Sequence, residues 1–457
     1  MPRQILRLTI LAVLAGCLLA GCRKRDKAPD LVVVSPHPDA VQQEFERAFS
    51  RWHQARHGTP VRIEWRDIGG SSAITKTIRS LYAQGAASSG LDVYFGGGGP
   101  DHRYLTAEGC LQPIELPAEL LADIPRRIGG VEQYDPQAGW YAACVSSFGI
   151  LYNAALLDRF NADRPQDQRI PVPRRWEDLA DPRLRGWTIA AGPESGSGRA
   201  AYELMLQSGG PWPAGWPRLL RFWANCQSFT AGASDLPTRV RNGQALAGTC
   251  IDFYAFSEMA TAEPNELKFV LPADGVAFTP DPISVLKGAP HAEMARRFVE
   301  FVLSVEGQAL WCLPAGEPEG PVERTLFRQP INRRAYERFA QRFPPQLVNV
   351  YALAGALTLD ERLQAARVPQ LLPRLMQAAA IDNGALLRQA WGRIIEAGMP
   401  EPLLRELAAL PDDLATEAAL YRTAATLARN DPRTNQEIAD GWAEFFRAKY
   451  QRILVPR

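Results

Sequence analysis

The stretch Leu91-Asp92-Val93-Tyr94-Phe95-Gly96-Gly97-Gly98-Gly99 is a short apolar run that leads directly into four glycines. Two similar runs precede it, Leu31-Val32-Val33-Val34 and the alternating segment 61–66. Apolar residues at helical spacing separate the three runs: Val41, Phe45, Phe49 and Trp52, then Ile74, Ile78 and Leu81. Strand, helix, strand, helix, strand is typical of an open α/β sheet, whose ligands bind at the carboxyl ends of the strands.

The same order of elements starts again in the middle of the chain. The elements predicted there are a strand at 187–190, a loop at 192–198 that leads into a helix, and further strands at 228–230 and 246–253. This pattern predicts a second α/β lobe. Residues 269–272 and 276–278 are predicted to carry the chain back to the first lobe, and a helix is expected from His291 to Val305.

The chain becomes all-helical in character from about Pro330 onward. Asp382 is predicted to cap a helix that ends near Gly398, and Asn435 is predicted to cap the last helix. We expect these helices to pack on a lobe; the alternative, which the sequence does not exclude, is a docking surface for another protein.

The chain has 457 residues, enough for two or three domains. We predict a signal peptide at 1–21, a tether at 22–30, a first lobe at 31–142 and 273–330, a second lobe at 143–272, and a helical extension at 331–457. The net charge of +1 gives no support to nucleic-acid binding, which requires a basic face. No run of 18 apolar residues occurs, so no transmembrane helix is expected.

The N-terminus has the features of an export signal. Arg3 and Arg7 precede a 14-residue apolar run, Leu8 to Gly21, which is too short to span a membrane. The run ends in Leu19-Ala20-Gly21-Cys22, which resembles the lipobox of bacterial lipoproteins. That resemblance implies cleavage before Cys22 and its acylation, and hence a protein anchored by lipid in the periplasm or cell envelope. The alternative is an ordinary signal peptide that ends in Cys by chance.

The cysteines give no clear disulfide pattern. Cys17 leaves with the signal peptide, and an odd number remains after Cys22: Cys110, Cys144, Cys226, Cys250 and Cys312. At least one of them therefore lies outside any intramolecular disulfide. No CxxC pair is present, so a zinc site is not expected, and the apolar contexts favour small buried side chains.

One long segment carries a family resemblance. It reads Pro173-Arg174-Arg175-Trp176-Glu177-Asp178-Leu179-Ala180-Asp181-Pro182-Arg183-Leu184-Arg185-Gly186-Trp187. Further segments fit the same family in the same order: 140–141, 149–153, 193–198, 279–289, 295–304 and 306–308. Together they resemble the bacterial extracellular solute-binding proteins of ABC importers for iron(III), thiamine and aminoethylphosphonate. The resemblance covers roughly residues 31 to 320. It implies a type II periplasmic-binding-protein fold, in which hinge strands join two α/β lobes that close on a ligand.

The enzyme signatures that we tested are incomplete. Gly70-Ser71-Ser72-Ala73-Ile74-Thr75-Lys76-Thr77 resembles a P-loop, but Thr75 replaces the glycine that lets the backbone wrap phosphates. His53 and His57 have the spacing of a zinc-protease helix without its glutamate, and no GxSxG is present. We therefore expect neither catalysis nor a cofactor.

Two serine-containing loops are the strongest candidates for ligand binding. Ser71 and Ser72 precede one predicted helix, and Ser195, Gly196 and Ser197 precede another, one on each lobe. Free N–H groups at a helix start, together with hydroxyls, favour an anionic group. The alternative is that these serines only cap their helices.

The remaining candidates come from comparison with iron-binding members of the family. Ser35 and His37 follow the first strand, and His37 falls where iron-binding relatives carry a histidine ligand. Those relatives also use an acidic residue after the third strand and a pair of tyrosines. Here the first position is glycine-rich and the second has a single Tyr, so we expect no metal. The other candidate ligand-binding residues are Gly97, Asp101, Asp252, Tyr254 and Asp281.

The resemblance and these residues predict a monomeric substrate-binding lipoprotein of an ABC importer. It would bind a small anionic or zwitterionic solute between two lobes and deliver it to a permease in the inner membrane. The alternatives are a lipoprotein enzyme, such as a hydrolase that uses the cleft, and a ligand sensor for a membrane signalling partner.

Overall fold

The computed structural model describes residues 30–353, 357–360, 362–363, 368, 371–429 and 431–455. The predicted signal peptide and the predicted lipidation site, Cys22, lie outside these ranges. Strands β1–β13 are, in order, Leu31–Val34, Ile63–Arg66, Val93–Phe95, Leu111–Gln112, Arg127–Ile128, Val131–Glu132, Tyr141–Asn153, Thr188–Ala191, Cys226–Thr230, Ala247–Ile251, Leu267–Val270, Phe278–Leu286 and Gln329–Pro330. Within the described ranges, no helix combines the length and apolar character needed to span a bilayer.

The helices alternate with the strands in each lobe and then continue alone. Helices α1–α17 are, in order, Asp39–His57, Ser71–Ala83, Gly99–Ala107, Ala118–Leu121, Ala154–Asn161, Gly196–Gln207, Trp216–Asn225, Leu236–Arg241, Asp252–Met259, Ala292–Leu303, Val305–Cys312, Arg333–Phe339, Leu372–Met376, Gly384–Glu396, Glu401–Ala408, Glu417–Ala428 and Pro432–Leu454. A π-helical turn, Gln377–Ile381, follows α13.

The sheet runs through both lobes in the order β2-β1-β3-β12-β7-β10-β8-β9. In the first lobe β1 is parallel to β2 and β3, and in the second lobe β8 is parallel to β9 and β10. The antiparallel pair β7 and β12 joins the two halves. The two-lobed α/β fold with hinge strands is thereby confirmed, since parallel strands with helical crossovers form each half.

Strand β7 is the longer of the two hinge strands, and all its residues are buried. Val145 packs in the apolar cluster of the first lobe, and Ile150 packs in that of the second. Between them, a Cβ on Gly149 would overlap the carbonyl oxygen of Val270 on β11. Glycine is therefore required where β11 lies against the hinge strand.

Two of the predicted strand boundaries are wrong. Residues 269–272 do not return to the first lobe, because β11 pairs with β7 in the second lobe and β12 makes the return. The strand predicted to reach Phe253 ends at Ile251. There the Asp252 carboxylate accepts a hydrogen bond from the Phe253 N–H at 2.8 Å, and α9 begins.

The C-terminal helices from α13 onward pack on the second lobe. Trp216 of α7 shares an apolar cluster with Trp391 and Phe446 of the extension, and Trp391 Nε1 donates to Asn225 Oδ1 at 2.7 Å. Tyr336 and Val350, which come earlier in the extension, pack in the apolar cluster of the first lobe. The lobes and the extension therefore share their cores.

Both predicted helix caps in this region are wrong. Asn383 occupies the cap position of α14, whereas Asp382 accepts from Gln377 Nε2 at 2.6 Å. The last helix starts earlier than expected, because the Asp431 carboxylate caps it through the Thr434 N–H at 2.9 Å. Asn435 then falls inside the first turn and is buried.

The cysteines of the described chain are all unpaired and buried: Cys110, Cys144, Cys226, Cys250 and Cys312. Burial raises the pKa of the Cys226 thiol to about 12, which keeps it protonated at neutral pH. These side chains act as small apolar groups in the core.

Candidate functional site

A cavity of about 510 Å³ lies between the two lobes, and we call it the cleft cavity. Its volume lies in the range typical of small-molecule sites and far exceeds that of a bare metal ion. Most of the residues predicted from the sequence line it: His37, Ser71, Ser72, Gly97, Ser195, Gly196, Ser197, Tyr254 and Asp281. The structure thus brings together residues from both lobes and from the hinge strand β12.

Three predicted residues are not part of the lining, and each has a structural partner. The Ser35 hydroxyl accepts from the His37 N–H at 3.1 Å. Asp252 accepts from the backbone N–H of Ser147 at 2.8 Å and from its hydroxyl at 2.9 Å, which ties α9 to the hinge strand. Burial raises the pKa of Asp252 to about 6. The third residue, Asp101, forms an ion pair between the lobes.

Three helices begin at the cleft cavity. The lining includes the first residues of α2 at Ser71, of α3 at Gly99 and of α6 at Gly196. Ser195 caps α6, since its hydroxyl accepts from the Gly198 N–H at 3.1 Å, as the capping alternative predicted. No side chain caps α2 or α3. Both helices therefore begin at the cavity without a capping side chain, with their positive dipole ends there; α3 offers the Gly99 N–H but none from Pro100.

The glycine loop 96–98, which precedes α3, lies in close contact with buried side chains. Gly97 adopts a φ of 100°, and a Cβ there would overlap the Tyr94 hydroxyl. A Cβ on Gly96 would lie 2.8 Å from the His37 ring. Any larger residue would push the loop away from His37 and Tyr94, so this loop requires glycine.

A buried charged cluster forms one side of the cavity. Asp281 Oδ2 lies 3.0 Å from His37 Nε2 and also accepts from Arg328 Nη1. Burial disfavours the carboxylate, but His37 and the Arg328 guanidinium outweigh it and hold the pKa of Asp281 well below its usual range. Burial lowers the pKa of His37 despite Asp281, so the imidazole is neutral at pH 7 and donates from Nε2.

Arg328 is the main site residue that the sequence analysis missed. It is 3% exposed, its guanidinium carbon lies 3.5 Å from the centroid of the Phe253 ring, and it lines the cavity. Its Nε has no hydrogen-bond partner in the described part of the chain. The preceding residue, Phe327, has a φ of 53°, a strained value that the surrounding fold has to maintain.

A second charged group connects the two lobes across the cavity. Arg199 of α6 lies 3.8 Å from Asp101 of α3, between the Nη2 and Oδ2 atoms. Arg103 and Glu203 line the cavity on the same two helices. Burial raises the pKa of Glu203 to about 7, although Arg103 and Arg199 oppose the increase. The ion pair and these facing side chains hold the lobes together across the cavity.

The polar side chains around the cavity bear on the class of ligand that it accepts. Within the described ranges, no group of three or more His, Cys, Asp or Glu side chains converges as metal ligands would. Phe253 and Tyr254 line the cavity with their rings 4.2 Å apart, in place of the tyrosine pair expected of an iron site. The lining includes carboxylates, among them Asp281 and Glu203, but it also offers N–H donors, hydroxyls and guanidiniums, which suit an oxyanion.

Comparisons with known proteins agree with this architecture. Residues 88–335 match the sequence model of a family described as bacterial extracellular solute-binding protein. The chain is 28% identical over 299 residues to the phosphoglycerate transport regulatory protein PgtC of Salmonella typhimurium, over 65% of this chain and 68% of PgtC.

Two solved structures share the fold. One is the periplasmic binding protein AfuA from Actinobacillus pleuropneumoniae with fructose-6-phosphate bound, with a TM-score of 0.56, 18% identity, and coverage of 81% of this chain and 99% of AfuA. The other is a putative extracellular solute-binding protein from Bordetella parapertussis, with a TM-score of 0.53, 16% identity, and coverage of 75% of this chain and 98% of that one.

Proposed function

The chain belongs to the family of bacterial extracellular solute-binding proteins, and on this premise we propose that it captures a small organic solute bearing a phosphate, phosphonate or similar oxyanion. The solute binds in the cleft cavity and passes to an ABC permease in the inner membrane. The protein itself performs no covalent chemistry. A lipid on Cys22 keeps it at the membrane face.

The convergence of three helix starts carries this proposal. Ser71, Gly99 and Gly196 open helices at one cavity, and two of these helices lack a capping side chain. Each such start offers backbone N–H donors and a positive dipole end, which favour an anion. Arg328 adds a guanidinium whose planar donors match oxyanion geometry.

The nature of the relatives supports the same solute class. The name of PgtC connects that protein with phosphoglycerate transport, and the match extends over about two thirds of each chain. A three-carbon phosphate ester is small enough for a cavity of about 510 Å³. The likeness to AfuA supports the fold alone.

Titration calorimetry on ligand-stripped protein tests the proposal. We expect binding of 3-phosphoglycerate or 2-aminoethylphosphonate and no tight binding of ferric citrate. Ser71→Ala and Ser197→Ala should each lower affinity about tenfold or more, since a hydrogen bond to a charged group contributes about 1.5–3 kcal/mol.

Ser304→Ala is the matched control for these variants. The Ser304 hydroxyl caps α11 by accepting from the Gly307 N–H at 3.2 Å, and it does not line the cavity. Its loss should lower stability by about 1 kcal/mol and leave the affinity unchanged. Tight ferric binding that is lost in Tyr254→Phe and indifferent to both cavity serines would contradict the oxyanion proposal.

The second candidate function is ligand sensing, because the name of PgtC describes a regulatory protein. In that case the closed, ligand-bound form would contact a membrane signalling partner instead of a permease. Deleting the gene distinguishes the two roles. Loss of labelled solute uptake supports transport, whereas intact uptake with a lost transcriptional response to the solute supports sensing.

A further inference from the structure

One wall of the cleft cavity comes from the C-terminal extension. Leu359 lines the cavity although it lies beyond the predicted bounds of both lobes. Its side chain is 9% exposed and belongs to the apolar cluster that contains Val131 and Phe148, two other lining residues. Leu359 therefore completes an apolar part of the wall, whereas the helix starts form a polar part of it.

The segment around Leu359 is fixed to the second lobe by hydrogen bonds. The Asp360 N–H donates to Gln207 Oε1 of α6 at 2.7 Å. The same side chain donates from Nε2 to Glu203 Oε1 at 2.8 Å, and Glu203 lines the cavity. Because the two ends of an amide have opposite roles, both partners fix the orientation of Gln207. The extension is thus connected to a cavity carboxylate through one side chain.

The same segment also contacts the first lobe and the hinge region. The Leu357 N–H donates to the carbonyl of Val276, shortly before the hinge strand β12. Thr358 lies against Gly130 in the β5–β6 turn, where a Cβ would lie only 2.9 Å from the Thr358 Cα. Residues 357–360 therefore bridge the two lobes at one side of the cavity.

We propose that residues 357–360 belong to the ligand site and that Leu359 restricts it to short organic phosphates. This inference rests on the proposed function and adds the size and polarity of the solute. An aliphatic wall offers no hydrogen bonds, so the hydroxyls of a sugar phosphate placed against it would lose their water without replacement. A three-carbon solute, held at its phosphate by the helix starts, avoids that penalty.

Calorimetry with two probes, 3-phosphoglycerate and fructose 6-phosphate, tests the role of Leu359. Wild-type protein should prefer 3-phosphoglycerate by at least about tenfold, and Leu359→Ala should reduce that preference about tenfold by opening the wall. Leu427→Ala is the matched control, because Leu427 lies in the same apolar cluster at 8% exposure and does not line the cavity. It should leave the preference within about twofold of wild type.

The outcomes separate the two proposals. An unchanged preference in Leu359→Ala, with both esters still bound, overturns the role of Leu359 and leaves the proposed function intact. Failure of wild-type protein to bind either ester overturns the inference, and failure to bind 2-aminoethylphosphonate as well overturns the proposed function. If Leu359→Ala does not fold, Leu359→Val should show a smaller reduction in the same direction, and no reduction there also overturns the inference.

Discussion

The replacement Arg328→Met removes the guanidinium from the buried cluster at the cavity. The Arg328 and Asp281 side chains are 3% and 14% exposed, so the variant leaves a buried carboxylate with only the His37 side chain beside it. Removing one partner of a buried ion pair costs about 3–5 kcal/mol of unfolding free energy, because the remaining charge keeps its desolvation penalty. We expect a loss in this range at pH 7.

The loss should depend on pH in a defined direction. In the wild type, the pKa of Asp281 is lower in the folded than in the unfolded chain, so its ionisation stabilises the fold above about pH 3.9. That contribution disappears as the pH falls through the folded-state pKa. Without the guanidinium, His37 alone opposes the effect of burial, so the pKa of Asp281 rises and its ionisation stabilises the fold less. The difference between the two proteins is therefore full at neutral pH and shrinks as the pH falls below about 4.

Urea unfolding at several pH values measures the free energy of unfolding of three proteins: the wild type, Arg328→Met and the double variant Arg328→Met/Asp281→Asn. The double variant should regain most of the stability, because no buried charge remains. Arg218→Met is the control: the Arg218–Asp274 pair, at 3.2 Å, is buried outside the cavity, so stability falls while solute affinity stays unchanged. A loss below about 1 kcal/mol at pH 7, or no recovery in the double variant, would refute the reasoning.

Three further predictions concern titration, the hinge and the anchor. Burial raises the pKa of Glu203 to about 7, so between about pH 4.5 and pH 7 the folded state holds a proton that the unfolded chain has lost. The free energy of unfolding should therefore fall as the pH rises through this range. In Glu203→Gln this fall, measured by thermal unfolding, should be smaller by up to about 3 kcal/mol. Gly149→Ala should lower the free energy of unfolding by about 1–3 kcal/mol, because its Cβ would overlap the Val270 carbonyl. The control is Gly441→Ala, whose Cβ meets open space in α17. It should raise the free energy of unfolding by up to about 1 kcal/mol in the same thermal unfolding experiment. Cys22→Ser should move the protein from the membrane to the soluble fraction of cells, and equal partitioning of both versions would contradict a lipid anchor.

Local patterns explain how much of the fold was predictable. The apolar run at Leu31–Val34 and the helical spacing of Val41, Phe45 and Phe49 are local properties of the sequence, and the structure has both elements. The helix caps were wrong because Asp382 and Asn435 are common capping residues whose actual partners depend on neighbouring turns. Capping residues therefore locate a helix start only to within a few positions.

The sequence predicted the site residues that follow the ends of strands, but it did not predict those that reach the cavity from distant parts of the chain. Ser71 and Ser197 reach the cavity because α/β topology places loops there. Arg328 and Leu359 reach it through tertiary packing, and no local pattern marks Arg328 or Leu359. Arg328 lies beyond the segments that resemble the family, so the sequence analysis had no reason to select it.

The order of strands in the sheet has a consequence for how the protein reaches its compartment. Phe95 at the end of β3 pairs with Ile283 on β12, so the first lobe lacks a central strand until most of the chain has been synthesised. Pairing over such a separation is slow, because loop closure costs entropy before the contact forms. For a member of a family of extracellular proteins, we expect this delay to favour export, because a chain whose first lobe still lacks β12 has not finished folding.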